Sequence, residues 1–311
     1  MDTQKFYKNK VNRVLLAIIC MMLWGSAFPA IKSGYKFFNI AGDDIASKFI
    51  FAGYRFSFAG FLVLAYLIVS KKNIFKLKKK EYGQIVRLGI LNTTIQYIFF
   101  YVGLSYTTGV RGAVINGTGT FMTIILAHFV YKNDKLTFNK TLGCIIGFAG
   151  VIIVNLNGSS FFSGSFKITG EGFMFIAAFC SAVASIYSKD LASKISPSIV
   201  TGYQLLTGGI LLSLLGHVLG GNLSGFTMKS TILIIYMSLL SAVAFVIWTH
   251  LLKFNRVGEI SVFKFLTPVF GTVFSGIFLK ENIFDPKIIM ALILVCTGIY
   301  LVSKVKKEKV R

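Results

Sequence analysis

Acidic side chains are scarce in this chain of 311 residues, which holds 11 Asp and Glu against 33 Lys and Arg. Charged residues make up only 14% of the sequence, whereas 55% of it is hydrophobic. One soluble core cannot hide so large an apolar excess, so the sequence predicts an integral membrane protein. Every carboxylate falls in a predicted loop or at the end of an apolar stretch. This leaves no mid-membrane Asp or Glu for a proton relay or for acid–base catalysis.

Motifs for metal, redox and nucleotide chemistry are also missing from the sequence. The four cysteines lie singly inside apolar stretches without a CxxC pair, so we expect them to pack rather than to bind metal. The histidines show no HExxH spacing, and no GxxxxGK[ST] loop is present. We therefore expect no cofactor, no metal and no enzymatic activity. Nucleic acid is not an expected partner, because Lys and Arg crowd into short connections between apolar stretches, as juxtamembrane anchors do.

Ten apolar stretches are long enough, or nearly so, to cross a hydrocarbon core of about 30 Å as helices. They run approximately over residues 14–31, 49–70, 88–106, 112–131, 141–156, 172–188, 198–219, 230–252, 260–279 and 288–303. With the N terminus inside, the inner segments hold 23 of the 33 Lys and Arg residues and the outer segments hold eight. This asymmetry predicts a multi-pass protein of the cell (plasma) membrane with both termini in the cytoplasm. The basic run Lys71–Lys80 is expected to lie against anionic lipid.

An internal repeat becomes visible when the chain is shifted along itself by about 148 residues. The most specific match sets GYRFSFAGFL, from Gly53, against GYQLLTGGIL, from Gly202. Five crossings per half is an odd number, so the second copy is predicted to be inverted relative to the first. The predicted fold class is all-α membrane, with ten transmembrane helices as two inverted five-helix repeats. Residues 1–156 and 170–311 are the predicted repeats, and residues 157–169 are a predicted external linker.

Three groups of residues carry a resemblance to a known family. They are LWGSAF at Leu23–Phe28, Arg55 in the second stretch, and LTPVF at Leu266–Phe270 followed by LKE at Leu279–Glu281. With these motifs the chain resembles EamA-type members of the drug/metabolite transporter superfamily over nearly its whole length. The first half departs from the pattern, with Thr120 at the proline position and Asp134 at the glutamate position. The resemblance implies a central cavity lined by stretches one to four and six to nine, and the export of small metabolites.

Two cations, Arg55 and Lys264, lie inside predicted membrane stretches, and neither has a carboxylate three or four residues away on its own helix. A charge at mid-bilayer costs about 2.5–3.5 kcal/mol on insertion scales, so a compensating role is expected. Either cation could bind the carboxylate or phosphate of an anionic or zwitterionic solute, or could instead extend its head group to the interface. Their repeat counterparts, Gln204 and Asn116, are polar too.

Further candidates for solute binding are polar or aromatic side chains that can stack on a solute or donate hydrogen bonds to it. They are Trp24, Tyr54, Gln96, Tyr97, Tyr101, Tyr203, Trp248 and His250. For each of them, ordinary packing between helices is the alternative interpretation. Gly143 and Gly147 form a GxxxG pattern that Gly150 continues, which predicts close helix packing or, alternatively, a homodimer seam.

The leading functional hypothesis is a secondary transporter, or permease, that moves small polar or amphipathic metabolites such as amino acids across the cell membrane. Transport would proceed by alternating access in the direction of export. A lipid-head-group flippase or an integral membrane enzyme is the alternative. An enzyme would need a nucleophile and a base at membrane depth, and the sequence shows no such motif.

Overall fold

The computed structural model describes residues 3–107, 109–155, 167–279 and 286–304, and within these ranges the chain is helical and forms no strand. The helices are α1 (Thr3–Lys8), α2 (Lys10–Phe37), α3 (Ile45–Val69), α4 (Lys79–Gly89), α5 (Gln96–Tyr106), α6 (Gly109–Val130), α7 (Phe138–Asn155), α8 (Phe173–Lys194), α9 (Pro197–Val218), α10 (Met228–Phe254), α11 (Val257–Ser261), α12 (Leu266–Leu279) and α13 (Pro286–Ser303). Wider π-helical turns at Ile90–Ile95 join α4 to α5, and similar turns at Ile168–Gly172 precede α8. A 3₁₀ segment at Val262–Phe265 joins α11 to α12.

Seven continuous helices in the described ranges are long and apolar enough to cross a membrane. They are Lys10–Phe37, Ile45–Val69, Lys79–Tyr106, Ile168–Lys194, Pro197–Val218, Met228–Phe254 and Val257–Phe278. Three further apolar helices, Ile115–Val130, Phe138–Ile153 and Ile289–Ser303, are shorter. The structure therefore shows an all-helical protein with these seven candidate spans, and the count of ten crossings stays a prediction. Most of the predicted linker, the glutamate of the LKE motif and the basic C-terminal tail lie outside the described residues.

Several helices extend beyond the apolar stretches that predicted them. The third stretch was expected to begin near Leu88, whereas the helix begins at Lys79. The Glu81 carboxylate accepts a hydrogen bond of 2.7 Å from the backbone N–H of Lys78 and so caps this earlier start. Capping groups, rather than the first apolar residue, set where a helix begins. Hydropathy alone therefore misplaced this boundary.

Helices α3 and α9, which carry the most similar segments of the two halves, pack closely through glycines. A Cβ added to Gly60 would lie 2.3 Å from the backbone nitrogen of Leu206. A Cβ added to Gly209 would lie 2.4 Å from the backbone nitrogen of Ser57. Gly60 and Gly209 stand at equivalent repeat positions, and so do Ser57 and Leu206. The glycine of each helix therefore contacts the equivalent residue of the other helix.

Helices α7 and α13 make a second close contact of this kind. A Cβ on Gly143 would lie 2.6 Å from the carbonyl oxygen of Gly298, and one on Gly150 would lie 2.8 Å from that of Ala291. A Cβ on Gly147 would meet the ring of Phe265 at 2.7 Å. The GxxxG face is thus covered by other helices of the same chain. The alternative prediction that this face forms a homodimer seam is therefore wrong, and a homodimer through another surface stays a prediction.

The other main contacts arrange the helices around a central space. Helix α2 packs along α10 and α12, and α8 packs along α5 and α6. The α3–α9 pair adjoins both α10 and the π-helical turns of Ile90–Ile95. These contacts leave a cavity between helices of the N-terminal and C-terminal halves.

Candidate functional site: a central cavity with two cations

A cavity of about 200 Å³ lies between the two halves of the chain. Its described lining comes from α2, α3, the segment from Ile90 to Tyr106, α6, α8, α9, α10 and the segment from Val257 to Leu279. This is the set of helices that the family resemblance implied, except that Val151 of α7 also contributes. Eight of the predicted site residues meet here: Trp24, Arg55, Gln96, Tyr97, Asn116, Gln204, Trp248 and Lys264.

Arg55 of α3 is buried, with only 3% of its surface exposed, and its side chain is fixed by two contacts. Its Nε donates a 2.8 Å hydrogen bond to the hydroxyl of Ser241, which itself donates to the carbonyl of Met237 at 2.8 Å. The guanidinium carbon lies 4.9 Å from the ring centroid of Phe56. Within the described ranges no carboxylate pairs with Arg55, so the N–H groups of its terminal nitrogens keep their capacity to bind an anion.

Lys264 lies on the 3₁₀ segment that precedes Pro268. Proline has no N–H to return to the carbonyl four residues earlier, so the Lys264 carbonyl loses its α-helical partner, and the chain here is 3₁₀ rather than α-helical. The Lys264 ammonium donates to the Ser185 hydroxyl at 3.3 Å and lies 5.4 Å from the ring centroid of Trp248. Among the described residues it has no carboxylate partner either. The cavity therefore holds two cations, each fixed by a hydroxyl and an aromatic ring.

Two surfaces of the cavity differ in chemistry. The part contributed by α2 is apolar and consists of Trp24, Ala27, Phe28 and Ile31. The part contributed by α8 carries the hydroxyls of Ser181, Ser185 and Ser188. Sequence reasoning missed these serines, although their spacing of four and then three residues places them on one helix face and could have revealed them. The cavity wall thus carries a hydroxyl next to Lys264 and an apolar surface along α2.

Tyr54 and Tyr101, which were also predicted to meet a solute, lie outside the cavity lining. Tyr54 is 38% exposed on the outer face of α3, with its ring centroid 6.2 Å from that of His217. Tyr101 is buried between rings, 6.5 Å from Phe49 and 6.0 Å from Tyr97. Tyr54 is thus on the exposed side of α3, and Tyr101, one helical turn beyond the lining residue Tyr97, packs against other rings.

Tyr203 and His250 likewise lie outside the cavity lining. The Tyr203 hydroxyl lies 3.5 Å from that of Tyr82 and 3.4 Å from the carbonyl oxygen of Ile74, in the packing of α9 on α4. The His250 ring stacks on Tyr7 with a centroid distance of 5.0 Å. Tyr7 belongs to the short helix α1, whose return onto α10 could not be foreseen from hydropathy.

Polar contacts join the helices at the end of the cavity that adjoins the start of α2. We call Arg13, Tyr131, Asp134, Lys140, Lys189, Asn255, Gly258 and Glu259 the closing cluster. Arg13 forms a 2.9 Å salt bridge with Glu259, which ties α2 to α11. The Asp134 carboxylate accepts from the backbone N–H of Gly258 at 2.8 Å and from the Lys140 ammonium at 2.6 Å. The turn between α6 and α7 is thus bound to the first residues of α11.

The rest of the closing cluster connects α8 to the same region. The Lys189 ammonium donates to the carbonyl of Asn255 and lies 5.3 Å from the ring centroid of Tyr131. The Tyr131 hydroxyl donates to the carbonyl of Ile186 at 3.1 Å. Burial, with the nearby carboxylates of Asp190 and Asp134, raises the pKa of Tyr131 to about 12, so the hydroxyl keeps its proton at physiological pH. These bonds join the helices next to the lining residues Ser188 and Leu252 of the cavity.

Known proteins that resemble this chain are transporters. The profile of the EamA-like transporter family matches residues 12–156 and 168–304. An uncharacterized transporter of Archaeoglobus fulgidus is 26% identical over 299 residues, which cover 95% of this chain and 98% of the relative. The uncharacterized transporter YvbV of Bacillus subtilis is 25% identical over 315 residues, covering 96% and 94%. A solved crystal structure shares the fold at 15% identity, with a TM-score of 0.76 over 92% of this chain and 94% of the other. The chain therefore belongs to the EamA-like transporter family of the drug/metabolite transporter superfamily, and its role is membrane transport.

Proposed function

We propose that this protein is a secondary transporter that moves small polar or amphipathic metabolites across the cell membrane by alternating access, in the direction of export. The observation that carries the proposal is the cavity between the two halves, with Arg55 buried and Lys264 partly buried in its wall and neither paired with any described carboxylate. Buried cations without a counter-charge are costly in a membrane unless a ligand compensates them. A volume of about 200 Å³ suits a small solute.

Alternating access requires two halves that can exchange roles, and we propose that residues 1–156 and 170–311 are inverted five-helix repeats. The reciprocal contacts of Gly60 and Gly209 support this, because a two-fold relation in the membrane plane produces each contact twice. The matches of the family profile to two separate segments, residues 12–156 and 168–304, agree with it. In such a fold, a closed end in one state becomes the open end in the other.

We propose that the closing cluster faces the cytoplasm. The basic residues of the sequence favour an N terminus on that side, and the cluster lies where α2 begins. The conformation described would then be closed toward the cytoplasm, and breaking the Arg13–Glu259 and Asp134–Gly258 contacts would admit a solute from inside. The lysines of Lys71–Lys80 are exposed on the same side, where we propose that they contact anionic lipid.

An integral membrane enzyme is a second candidate, because Ser185 and Lys264 lie 3.3 Å apart and Ser–Lys pairs serve as nucleophile and base in some hydrolases. A serine-directed fluorophosphonate probe tests this directly. We expect no covalent labelling of Ser185, since the geometry of a carrier needs the hydroxyl only as a hydrogen-bonding group. Labelling that is lost in Ser185→Ala would favour the enzyme.

Metabolite profiling tests the proposed function. Culture media and cell extracts are compared between cells that overexpress the protein and cells that lack it, and solutes that change are assayed by counterflow in proteoliposomes. We expect at least one small polar metabolite to accumulate outside the overexpressing cells and to exchange through the purified protein. If folded protein exchanges none of the solutes whose levels change, the transport proposal is wrong.

A further inference from the structure

We propose that the transported solute is an organic anion with two acidic groups on an apolar body, and that amino acid zwitterions are poor ligands. The inference rests on the proposed transport function and concerns the cavity that contains Arg55 and Lys264. No Asp or Glu is found among the described residues of the lining. A zwitterion would leave its ammonium group without a counter-charge and close to two fixed cations, which repel it.

The two cations offer different anion subsites. At Lys264, a compact ammonium lies 3.3 Å from the hydroxyl of Ser185, and Ser181 and Ser188 of the same helix also line the cavity. At Arg55, the hydrogen bond from Nε to Ser241 orients the guanidinium and leaves its terminal nitrogens for a bidentate carboxylate. Each subsite therefore suits one acidic group of the same solute.

A series of aromatic rings runs between the two subsites, and these rings are the reason for proposing that the solute has an apolar body. Each group in the following series is in contact with the next: Lys264, Trp248, Trp24, Phe245, Phe56 and Arg55. The centroid distances between the rings in this series lie between 5.3 and 6.3 Å. Of the rings in this series, Trp24, Phe245 and Trp248 line the cavity, as do Phe28 and Ile31. Hydrocarbon between two acidic groups would contact these side chains, where hydroxyl-rich solutes such as sugars would lose hydration without compensation.

Tryptophan fluorescence gives a direct readout of binding, because the sequence contains two tryptophans and both of them, Trp24 and Trp248, line the cavity. The purified full-length protein in detergent is titrated with three probes that share one skeleton. Phenylsuccinate has two carboxylates, 3-phenylpropionate has one, and phenylalanine adds an ammonium group to the latter. We expect phenylsuccinate to bind about tenfold or more tighter than 3-phenylpropionate, and phenylalanine to bind about tenfold or more weaker than 3-phenylpropionate.

Variants assign the effect to the two cations. Arg55→Gln should remove the preference for phenylsuccinate over 3-phenylpropionate, because the second carboxylate loses its partner. Lys264→Met should weaken both acids, whereas Lys264→Arg should retain binding and so separates loss of charge from loss of folding. Lys72→Gln, far from the cavity on an exposed loop, should behave as the parent protein.

Three outcomes would overturn the proposal. Phenylalanine could bind as tightly as 3-phenylpropionate, Arg55→Gln could leave the preference between the acids unchanged, or folded parent protein could bind neither acid. Each result refutes the dianion assignment and leaves transport to be judged separately by the metabolite profiling. A failure to exchange any solute in that experiment would refute the proposed function instead.

Discussion

Replacing Asp134 by alanine should destabilise the protein strongly, although the residue lies outside the predicted solute site. The Asp134 and Lys140 side chains are each 1% exposed, and their charged atoms lie 2.6 Å apart. Removing the carboxylate leaves the Lys140 ammonium buried with the carbonyl of Lys135 at 2.8 Å as its remaining partner. It also removes the acceptor for the N–H of Gly258.

The expected cost is about 3–5 kcal/mol, the range found when one partner of a buried ion pair is removed. Most of this cost comes from the stranded charge rather than from the lost attraction. The double variant Asp134→Asn with Lys140→Met should therefore be considerably more stable than Asp134→Ala, because it removes both charges. Asparagine also retains an oxygen that can accept from Gly258.

The free energy of unfolding can be measured by denaturant titration in detergent micelles, with thermal unfolding as an independent readout. Asp190→Ala is a matched control, because Asp190 forms a 3.1 Å pair with Lys194 in which the side chains are 51% and 61% exposed. An exposed pair of this kind contributes less than about 1 kcal/mol. A cost for Asp134→Ala no larger than for Asp190→Ala would refute the reasoning, as would a double variant less stable than the single one.

Three further predictions concern transport, packing and orientation. Lys264→Met should lower the rate of solute exchange in proteoliposomes by about tenfold or more, while Lys72→Met leaves it unchanged; equal rates in the two variants would show that Lys264 has no role in binding. Gly60→Ala should cost about 1–3 kcal/mol of stability because its Cβ would meet the backbone of α9, whereas Gly83→Ala, with nothing within 4 Å, should be neutral or slightly stabilising. In a variant with its native cysteines replaced, a membrane-impermeant maleimide applied to intact cells should label Ser224→Cys and not Lys72→Cys; the reverse pattern would invert the predicted topology.

Hydropathy located the helices well because each membrane helix satisfies its own backbone and needs an apolar exterior. It placed their ends poorly because capping groups such as Glu81 act locally and carry no hydropathic signal. The short helix α1 was missed for a similar reason. Its position depends on Tyr7 stacking against His250, a contact between residues far apart in the sequence.

The types of residue in the sequence predicted part of the cavity lining. A charge within an apolar stretch is costly, and this cost singled out Arg55 and Lys264, which the structure brings to one cavity. Aromatic residues gave no such signal, because a tyrosine serves equally in packing and in binding. The structure shows that Trp24 lines the cavity and that Tyr54 and Tyr101 do not, a difference that the sequence did not indicate.

The sequence by itself determined that the chain is a helical membrane protein with a repeated pattern, because composition and periodicity reflect the solvent that each helix meets. Only the tertiary structure decided what each polar residue touches. It placed Asp134, a departure from the family motif, against Gly258 and Lys140 in a closing contact. It also placed the glycine face of α7 in close contact with α13. The physical reason is that hydropathy specifies burial but not direction, and the direction of a side chain is fixed by how the helices pack.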